Sequence, residues 1–396
     1  MEKWSYNRIE QLPIQIIDGD RGANYPKQTD FYNEGYCLFL NTGNVTKEGF
    51  DFSSVYFISK NKDEQLRKGK LKRNDIVITT RGTLGNVGYY SENIKFQNIR
   101  INSGMIILRV DEDELHSKFL YQIFKSSLAK AQSELYSSGT AQPQLPIQDF
   151  RKIKILIPPL PIQQRIASIL SAYDDLIEVN NQRIKLLEET ARELYKEWFV
   201  RMRFPGYKNA KFVKGVPEAW EVVRLDNVLS FKTGKLNSNA STLDGQYPFF
   251  TCSNADFKTD TYSFDTEAVL LAGNNAAGIY PLKYYKGKFD AYQRTYIIKP
   301  KSDDISHKYV YYYFLERLEF LQTISIGAAT QFLTTQMLKK LLIFLPNKNL
   351  MELFSIIVDP IFEQVQILNQ QNTQLRQIRD KLLPRLISGK LEVKEK

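Results

Sequence analysis

The chain has 396 residues, 43% hydrophobic content and a formal net charge of +10, which predicts two globular domains with connectors and a polyanionic partner, most commonly nucleic acid. Its apolar runs fall short of a membrane helix, its first residues do not resemble a secretory signal, and two cysteines are too few for a disulfide framework. We therefore expect a cytoplasmic chain with reduced thiols and no membrane segment.

The first part of the chain, residues 1–157, alternates predicted strands with turn-rich loops. Strands are predicted over residues 36–40, 75–80 and 105–110, where short apolar runs meet polar and turn-forming residues. A helix is predicted over residues 117–131. The glycines of the Arg81–Gly88 loop are spaced by three, which does not fit a dinucleotide-binding motif, so we assign them to turns or close backbone contacts.

A long helix is predicted over Pro161–Phe204, within the segment 158–204. Residues 162–204 contain no proline or glycine, and apolar or small residues recur at alternating steps of three and four between Ile177 and Trp198. This spacing is a heptad seam, and a helix of this length is a rod of roughly 60 Å. We expect such a rod to hold two domains apart.

The second half of the chain repeats the plan of the first. Trp220–Leu225 matches Trp4–Ile9, and we call the difference between their residue numbers the offset of the domain starts. Pro346 matches Pro158, and we call the difference between these two residue numbers the offset of the long helices. We therefore predict a second globular domain over residues 205–346 and a second long helix within residues 347–396. Because proline removes a helical hydrogen bond, we expect a separate short turn first and the main helix to start near Pro360.

The two rods predict how the domains are assembled. Each rod offers the other a seam to bury, so the expected fold class is α+β: two similar domains separated by two long helices in an antiparallel coiled coil, with pseudo-twofold symmetry. Asn180 and Asn372 interrupt the seams where the other rod has Leu368 and Ile184. We hypothesise that these asparagines face each other and fix the register; two exposed asparagines are the alternative.

Catalytic and metal-binding constellations are not recognisable in the sequence. The two histidines, His116 and His307, each lie at the start of a predicted helix, which favours a helix-flanking role over metal or acid–base chemistry. Neither cysteine has a nearby histidine, and zinc-protease, P-loop and dinucleotide motifs are missing. We therefore predict a binding protein with no catalytic residues and no metal site.

Several segments carry a resemblance to a known family. They are Gly139–Leu145, Ile157–Ile166, Ile184–Glu188 and Arg379–Leu391, with Trp4 and Trp220 near the domain starts. Together with two α+β domains that are each followed by a long helix, they make the chain resemble the specificity (S) subunit of type I restriction–modification systems. The resemblance extends over nearly the whole chain.

The resemblance implies a function for each segment. Residues 1–157 and 205–346 are then target recognition domains that each read one half of a split site in double-stranded DNA. The helices set the half-site spacing and dock two DNA adenine methyltransferase (modification) subunits, which bind S-adenosylmethionine; restriction or translocase subunits add cleavage with ATP and Mg. The chain itself is implied to be non-catalytic and without a cofactor.

Two other interpretations stay open at this point. In one, the chain is a specificity module of another DNA methylase or phage-defence complex that lacks a restriction subunit. In the other, it is a coiled-coil scaffold that bridges two proteins without DNA, although the positive charge and the divergent loops of the two repeats disfavour this. The neighbouring methyltransferase and binding to random duplex DNA discriminate between these interpretations.

Candidate DNA-contacting residues lie in or beside turn-rich loops between strands. Arginine can fork onto guanine and asparagine onto adenine, whereas a phosphate contact needs only positive charge. For the asparagines, turn chemistry is the alternative, because asparagine tolerates a left-handed backbone. The candidates are Arg21, Tyr25, Lys27, Arg81, Thr83 and Asn86 in the first domain, and Lys235, Asn237, Asn254, Asn274, Asn275 and Arg294 in the second.

Overall fold

The computed structural model describes residues 4–139, 143–275, 278–327, 331–388, 390–391 and 393. Two structural units divide the chain: Met1–Asn180 with Gln370–Lys396, and Asn181–Asn369. Both boundaries fall inside long helices, so each unit holds one globular domain and a segment of each long helix. In the described ranges, no helix combines the length and the apolar character needed to cross a membrane.

The first unit contains short strands in several small sheets. They are β1 (Ser5–Arg8), β2 (Ile14–Asp18), β3 (Cys37–Leu40), β4 (Val45–Thr46), β5 (Gly49–Phe50), β6 (Phe57–Ile58), β7 (Ile76–Thr79), β8 (Val87–Tyr89), β9 (Ile99–Ile101), β10 (Met105–Val110) and β11 (Lys154–Ile157). The main sheet is antiparallel with the order β2-β10-β7-β8, and a second sheet has the order β6-β3-β9. The predicted strands over residues 36–40, 75–80 and 105–110 correspond to β3, β7 and β10 and are confirmed.

The first unit also contains short helices and the first part of a long helix. They are α1 (Lys60–Gln65), α2 (Ser117–Lys125), α3 (Ser127–Leu135), α4 (Ile147–Phe150) and the first part of α5 (Leu160–Tyr195). Phe119 of α2 and Ile78 of β7 belong to one buried cluster. The predicted single helix over residues 117–131 is wrong, because Ser126 interrupts it: its backbone is extended, and its hydroxyl accepts a hydrogen bond from Ala129 N at 3.2 Å to cap α3.

The second unit is built on a six-stranded sheet. The strands of the whole unit are β12 (Phe212–Val213), β13 (Val216–Pro217), β14 (Glu221–Arg224), β15 (Leu229–Thr233), β16 (Tyr247–Phe250), β17 (Phe257–Thr259), β18 (Phe264–Ala272), β19 (Asn274–Asn275), β20 (Leu282–Ala291), β21 (Thr295–Pro300), β22 (Gln331–Phe332) and β23 (Leu342–Leu345). The large sheet has the order β15-β21-β18-β20-β16-β17. The buried parts of its central strands are residues 268–272 of β18 and 295–298 of β21.

The helices of the second unit bury an aromatic core. They are α6 (Leu225–Val228), α7 (His307–Leu315), α8 (Leu318–Ile324), α9 (Thr335–Lys340), the second part of α5 and the first part of α10 (Lys348–Ile387). Tyr195 of α5 packs edge-on against Phe354 of α10 with ring centroids 6.2 Å apart. A π-helical turn over Lys196–Val200 follows α5, so the predicted helix end at Phe204 is too late by several residues.

Pro360 lies inside α10, so the predicted start of the main helix near this residue is wrong. An internal proline removes one helical hydrogen bond and costs about 3 kcal/mol. Phe354 and Val358 precede the proline and are fully buried, and Phe362 packs against the same cluster on the other side. Burial on both sides of the proline stabilises a continuous helix.

The internal duplication is visible in the strand pairing. β1 pairs antiparallel with β11, with Ser5 opposite Ile157, and β14 pairs antiparallel with β23, with Glu221 opposite Leu345. Ser5 and Glu221 are related by the offset of the domain starts, and Ile157 and Leu345 by the offset of the long helices. The α+β class and the duplicated plan are therefore confirmed.

Within the first unit, α5 and α10 run antiparallel. Asp174 accepts a hydrogen bond from Arg379 at 2.5 Å, and Asn180 donates one to Asn372 at 3.0 Å. Residues later in α5 thus contact residues earlier in α10, which is an antiparallel arrangement. Both asparagines are buried, which excludes the alternative of two exposed asparagines, while their role in fixing the register stays a prediction.

Candidate nucleic-acid interface

The loop after β7 carries three candidate residues of the first unit. Its turns use Gly82 and Gly85, whose φ angles of 71° and 78° suit glycine. Arg81 at the start of this loop is exposed, and no side-chain partner of its guanidinium is found in the described part of the chain. Arg81 is therefore available for a base edge or a phosphate.

Thr83 and Asn86 fasten this loop to the neighbouring turn. The Thr83 hydroxyl donates to Thr42 O at 3.3 Å, and Asn86 Nδ2 donates to Val45 O at 2.8 Å. Asn86 is half-buried, and its amide is used inside the protein. Thr83 is exposed and is the more accessible of the two.

Arg21 lies beside the loop that carries Arg81. Its guanidinium donates to Ser103 O at 3.3 Å and pairs with Asp18 at 3.2 Å. The carbonyl of the glycine that follows Ser103 accepts a hydrogen bond at 2.8 Å from the N–H of Thr80, which is the residue before Arg81. The fold therefore brings two candidate arginines that are distant in sequence to one edge of the first unit.

Tyr25 and Lys27 take other positions in the loop after β2. The Tyr25 ring packs edge-on against Phe39 with centroids 5.8 Å apart, which gives this half-buried ring a structural role. Lys27 is exposed, and its backbone N–H donates to Asp30 Oδ2 at 2.8 Å. These contacts do not join either residue to the Arg21 and Arg81 group.

In the second unit, four loops meet around residues 292–294. The Arg294 carbonyl accepts hydrogen bonds from Gly273 N at 2.8 Å and from Cys252 Sγ at 3.5 Å. Shortly before it in the chain, Tyr292 forms a bridge with Leu236. The candidates next to these contact points are Lys235 and Asn237 beside Leu236, Asn254 near Cys252, and Asn274 after Gly273.

The side chains at this meeting point differ in exposure. Arg294 and Lys235 are exposed, as are Asn237 and Asn254. Asn237 precedes the turn Ser238–Ala240 without a side-chain cap bond, so its amide is not used there. The Asn275 side chain lies outside the described residues.

Asn274 has a buried amide oxygen with no hydrogen-bond donor in the described ranges. A buried acceptor without a partner costs about 1–3 kcal/mol. This oxygen is shielded from solvent, so the reading role of Asn274 stays a prediction beside turn chemistry.

The two units build their candidate sites on the same backbone contact. Thr80 N donates to Gly104 O at 2.8 Å in the first unit, and Gly273 N donates to Arg294 O at 2.8 Å in the second. Both donors directly follow a central strand of the sheet, β7 or β18. Gly104 and Arg294 are therefore equivalent positions.

The side chains around this shared contact differ. A Cβ atom at Gly104 would lie 2.7 Å from a Thr42 carbon, so this position cannot carry a side chain without a shift. The first unit instead presents Arg81 from the loop after β7, where the second unit has Asn274. In the first unit the exposed arginine, Arg81, follows the donor of this backbone hydrogen bond, whereas in the second unit Arg294 is the acceptor itself. Such a difference on a common scaffold is expected for two readers of different sequences.

The histidines serve as helix starts. His116 Nδ1 accepts from Phe119 N at 3.4 Å and caps α2, and His307 is the first residue of α7. Burial keeps the pKa of both imidazoles below the usual value. Among the residues that the structure describes, no cluster of three or more His, Cys, Asp or Glu side chains suits a metal ion.

Residues that the sequence analysis does not single out complete both sites. Thr42 and Ser103 receive hydrogen bonds from candidate residues, and Cys252 and Tyr292 place the loops of the second unit. Thr42 and Ser103 each precede a glycine in a polar turn, which is the one available signal. No local signal marks Cys252.

Comparison with known proteins identifies the family. Residues 1–189 and 217–377 match the family described as type I restriction modification DNA specificity domain. The two matched segments cover both repeats and more than half of the chain. This chain belongs to that family.

Individual relatives agree with this assignment. The type I restriction enzyme MjaIX specificity subunit of Methanocaldococcus jannaschii is 27% identical over 353 residues, which cover 81% of this chain and 78% of the relative. The EcoDI specificity subunit of Escherichia coli is 34% identical over 163 residues, 41% of this chain and 36% of the relative. A crystal structure of the S subunit of a type I system from M. genitalium shares the fold, with a TM-score of 0.56, 18% identity and coverage of 97% of this chain and 96% of that one.

Proposed function

We propose that this chain is the DNA-recognition subunit of a type I restriction–modification complex and has no catalytic role of its own. The observation that carries the proposal is the duplicated scaffold with different exposed side chains, in a chain of the specificity family. Each recognition domain reads one half of a bipartite site in double-stranded DNA. The net charge of +10 favours association with the phosphate backbone.

The proposed readers are the candidate loop residues of each unit. In the first unit Arg21, Arg81 and Thr83 form the central group, with Tyr25, Lys27 and Asn86 at its margins. In the second unit, Arg294 and Asn274 are central, with Lys235, Asn237, Asn254 and Asn275 around them. Arginine and asparagine at the centre supply the bidentate contacts that specify bases, and the lysines supply phosphate contacts.

The helices are proposed to set the half-site spacing. A coiled coil is stiff, so its length fixes the separation of the elements it carries, whereas a flexible linker would allow many separations. Deleting residues 181–187 together with 365–371 removes one heptad at the same level of both helices. This deletion is expected to shorten the DNA gap by about three base pairs or to abolish methylation.

The same helices are proposed to dock two adenine methyltransferase subunits. Val179 on α5 and Ile367 on α10 are equivalent at the offset of the long helices and are 49% and 47% exposed. Leu186 and Ile356 are also well exposed. A group of exposed apolar residues on a long helix suits a protein contact, and equivalent residues on two helices suit two copies of one partner.

The partners would bring the chemistry. S-adenosylmethionine is proposed to bind the methyltransferase subunits, and ATP with Mg a restriction or translocase subunit. Since the proposed substrate is the cell's own and invading DNA, we also propose a cytoplasmic location.

Methylation mapping tests the proposal. The chain is co-expressed with the methyltransferase subunit encoded beside it, and host DNA is sequenced for N6-methyladenine. A split motif with two defined half-sites around a constant gap is expected. Methylation at one undivided short site would contradict the two-reader proposal, and no methylation from a soluble, associated complex would favour a scaffold that bridges proteins.

A further inference from the structure

Asp174 on α5 receives three hydrogen bonds within the first unit. Its carboxylate accepts from Gln122 Nε2 at 2.5 Å, from Lys125 Nζ at 3.1 Å and from Arg379 Nη1 at 2.5 Å. The Lys125 and Arg379 side chains are 8% and 10% exposed. This Asp174 network joins α2 of the globular domain to both long helices.

The charges of the Asp174 network depend on one another. Burial disfavours the ionised carboxylate, but Lys125 and Arg379 outweigh this effect and keep the pKa of Asp174 below its usual value. Hydrogen bonds between charged groups are short and directional, so they fix the angle as well as the distance between the elements that they connect.

The second unit fills the equivalent place with apolar side chains. The helices α2 and α7 are aligned by their first residues, Ser117 and His307, and the long helices by the offset already defined. The equivalents of Gln122, Lys125, Asp174 and Arg379 are then Tyr312, Leu315, Phe362 and Ala191.

Contacts in the second unit support this equivalence. The Tyr312 and Phe362 rings lie 5.9 Å apart in an edge-on arrangement, as Gln122 and Asp174 meet in the first unit. Ala191 is fully buried. Aromatic and aliphatic contacts are less directional than charged hydrogen bonds and allow small rotations at little cost.

We infer that Asp174 and Arg379 are positioning residues that orient the first recognition domain on the long helices through a buried charged network. The equivalent place in the second unit holds aromatic packing, and its ion pairs Lys308–Asp359 and Arg192–Glu316 lie at other, more exposed positions. The inference rests on the proposed function, because the orientation of a reader matters only if the chain reads DNA at a defined gap. Loss of one charge should therefore disturb the first reader and leave the second one in place.

Hydrogen exchange on the purified full chain tests the seating without DNA. Asp174→Asn removes the charge but keeps the shape, so Lys125 loses its counter-charge and Arg379 keeps only its pair with Asp380. Amides of α2 should exchange at least about tenfold faster, with those of α7 unchanged. The control Phe362→Leu should accelerate α7 and spare α2. Unchanged exchange in α2 of Asp174→Asn, or equal acceleration in both helices, would overturn the inference.

A second variant separates positioning from stability. The quadruple variant Gln122→Tyr, Lys125→Leu, Asp174→Phe, Arg379→Ala gives the first unit the residues of the second at these four positions. Its unfolding midpoint should stay near that of the wild type, because apolar residues can replace a buried ion network without loss of stability.

The readout for the quadruple variant is methylation of DNA whose gap is one base pair longer or shorter than the native gap. Relative methylation of these sites should rise about tenfold over the wild type. Unchanged gap selectivity would overturn the positioning role. If the wild type methylates no split site at all, the proposed function fails, and the hydrogen-exchange comparison still decides whether the two domains are seated differently.

Discussion

Asn180 Nδ2 donates a hydrogen bond to Asn372 Oδ1 at 3.0 Å, and the two side chains are 2% and 1% exposed. At the offset of the long helices, the equivalent residues are Leu368 and Ile184, which are apolar. Sliding one helix along the other would place these amides against apolar side chains, where a lost buried hydrogen bond is costly. The pair is therefore predicted to fix the register of the two long helices.

Replacement of both asparagines tests the register. Asn180→Leu with Asn372→Leu should keep the helices paired, with unchanged or raised stability, but should relax the selectivity for gap length. Asn180→Leu alone should cost about 1–3 kcal/mol, because Asn372 loses a buried donor. Chemical denaturation and methylation of DNA with altered gaps measure the two effects. Gln371→Leu, at an exposed position, is the control, and unchanged gap selectivity in the double variant would refute the register role.

The two arginines at the proposed interface should act on different half-sites. Arg81→Ala should reduce discrimination at the first half-site, and Arg294→Ala at the second, each by about 1–3 kcal/mol for the affected base pair. Competition binding with single base changes in each half-site measures this. Arg151→Ala, an exposed arginine in the turn before β11, is the control and should leave discrimination unchanged. An equal loss at both half-sites from one substitution would speak against separate readers.

The two cysteines provide a footprint of bound DNA. Burial, together with the nearby Asp63 carboxylate, raises the pKa of the Cys37 thiol to about 12, so this thiol should resist alkylation in the folded chain. Cys252 is half-buried beside the Arg294 carbonyl and should react first. Cognate DNA should slow the alkylation of Cys252, as measured by mass spectrometry. If the Cys252 thiol reacts at its full rate in saturating DNA, the second reader lies elsewhere. As a control, the Cys252→Ser variant should remain unlabelled until the chain unfolds.

A buried ion pair should dominate the acid stability of the first unit. Asp63 accepts from Arg100 Nε at 2.5 Å and from Lys70 Nζ at 2.6 Å, and its side chain is 2% exposed. Burial opposes its ionisation, but Lys70 and Arg100 keep its pKa below the usual 3.8. A lowered folded-state pKa means that the stabilisation is complete above the unfolded pKa and is lost as the pH falls through the folded value.

Asp63→Asn should therefore destabilise the chain by about 3–5 kcal/mol at neutral pH, because Arg100 is left as a buried charge without its partner. The stability of the variant should also fall less steeply below about pH 4. Urea unfolding across this pH range measures both effects. Glu10→Gln removes an exposed ion pair with Arg8 and should change stability by less than about 1 kcal/mol. If the stability of the variant falls with decreasing pH as steeply as that of the wild type, other carboxylates cause the acid sensitivity.

Long helices and strands were predictable because their signals are local. The seam from Ile177 to Trp198 repeats over several heptads without a breaker, and the apolar run before Arg81 is bounded by turn residues. The exceptions have tertiary causes. Pro360 stays helical because residues on both sides of it are buried. Ser126 breaks a helix because its hydroxyl finds a capping partner, which propensity alone does not reveal.

The candidate sites were only partly predictable. Arg81 and Arg294 follow from turn signals, but their neighbours do not. Arg21 binds the carbonyl of Ser103, next to the glycine that contacts the Arg81 loop, and the Cys252 thiol donates to the Arg294 carbonyl, so both contacts join segments distant in sequence. Such contacts depend on how strands pair, so a sequence-based choice included Tyr25, whose ring packs on Phe39.

The amino-acid sequence by itself determined the duplication, the two long helices and the family, because these depend on repeated residues at regular spacing. Only the tertiary structure decided which loops meet, that Asn180 faces Asn372, and that Asp174 is held by Arg379 while its counterpart Phe362 packs on Tyr312. The physical reason is that hydrophobic periodicity is a pattern of residues close together in the sequence. Hydrogen bonds and ion pairs between distant residues form only after the backbone has brought their donors and acceptors within about 3 Å.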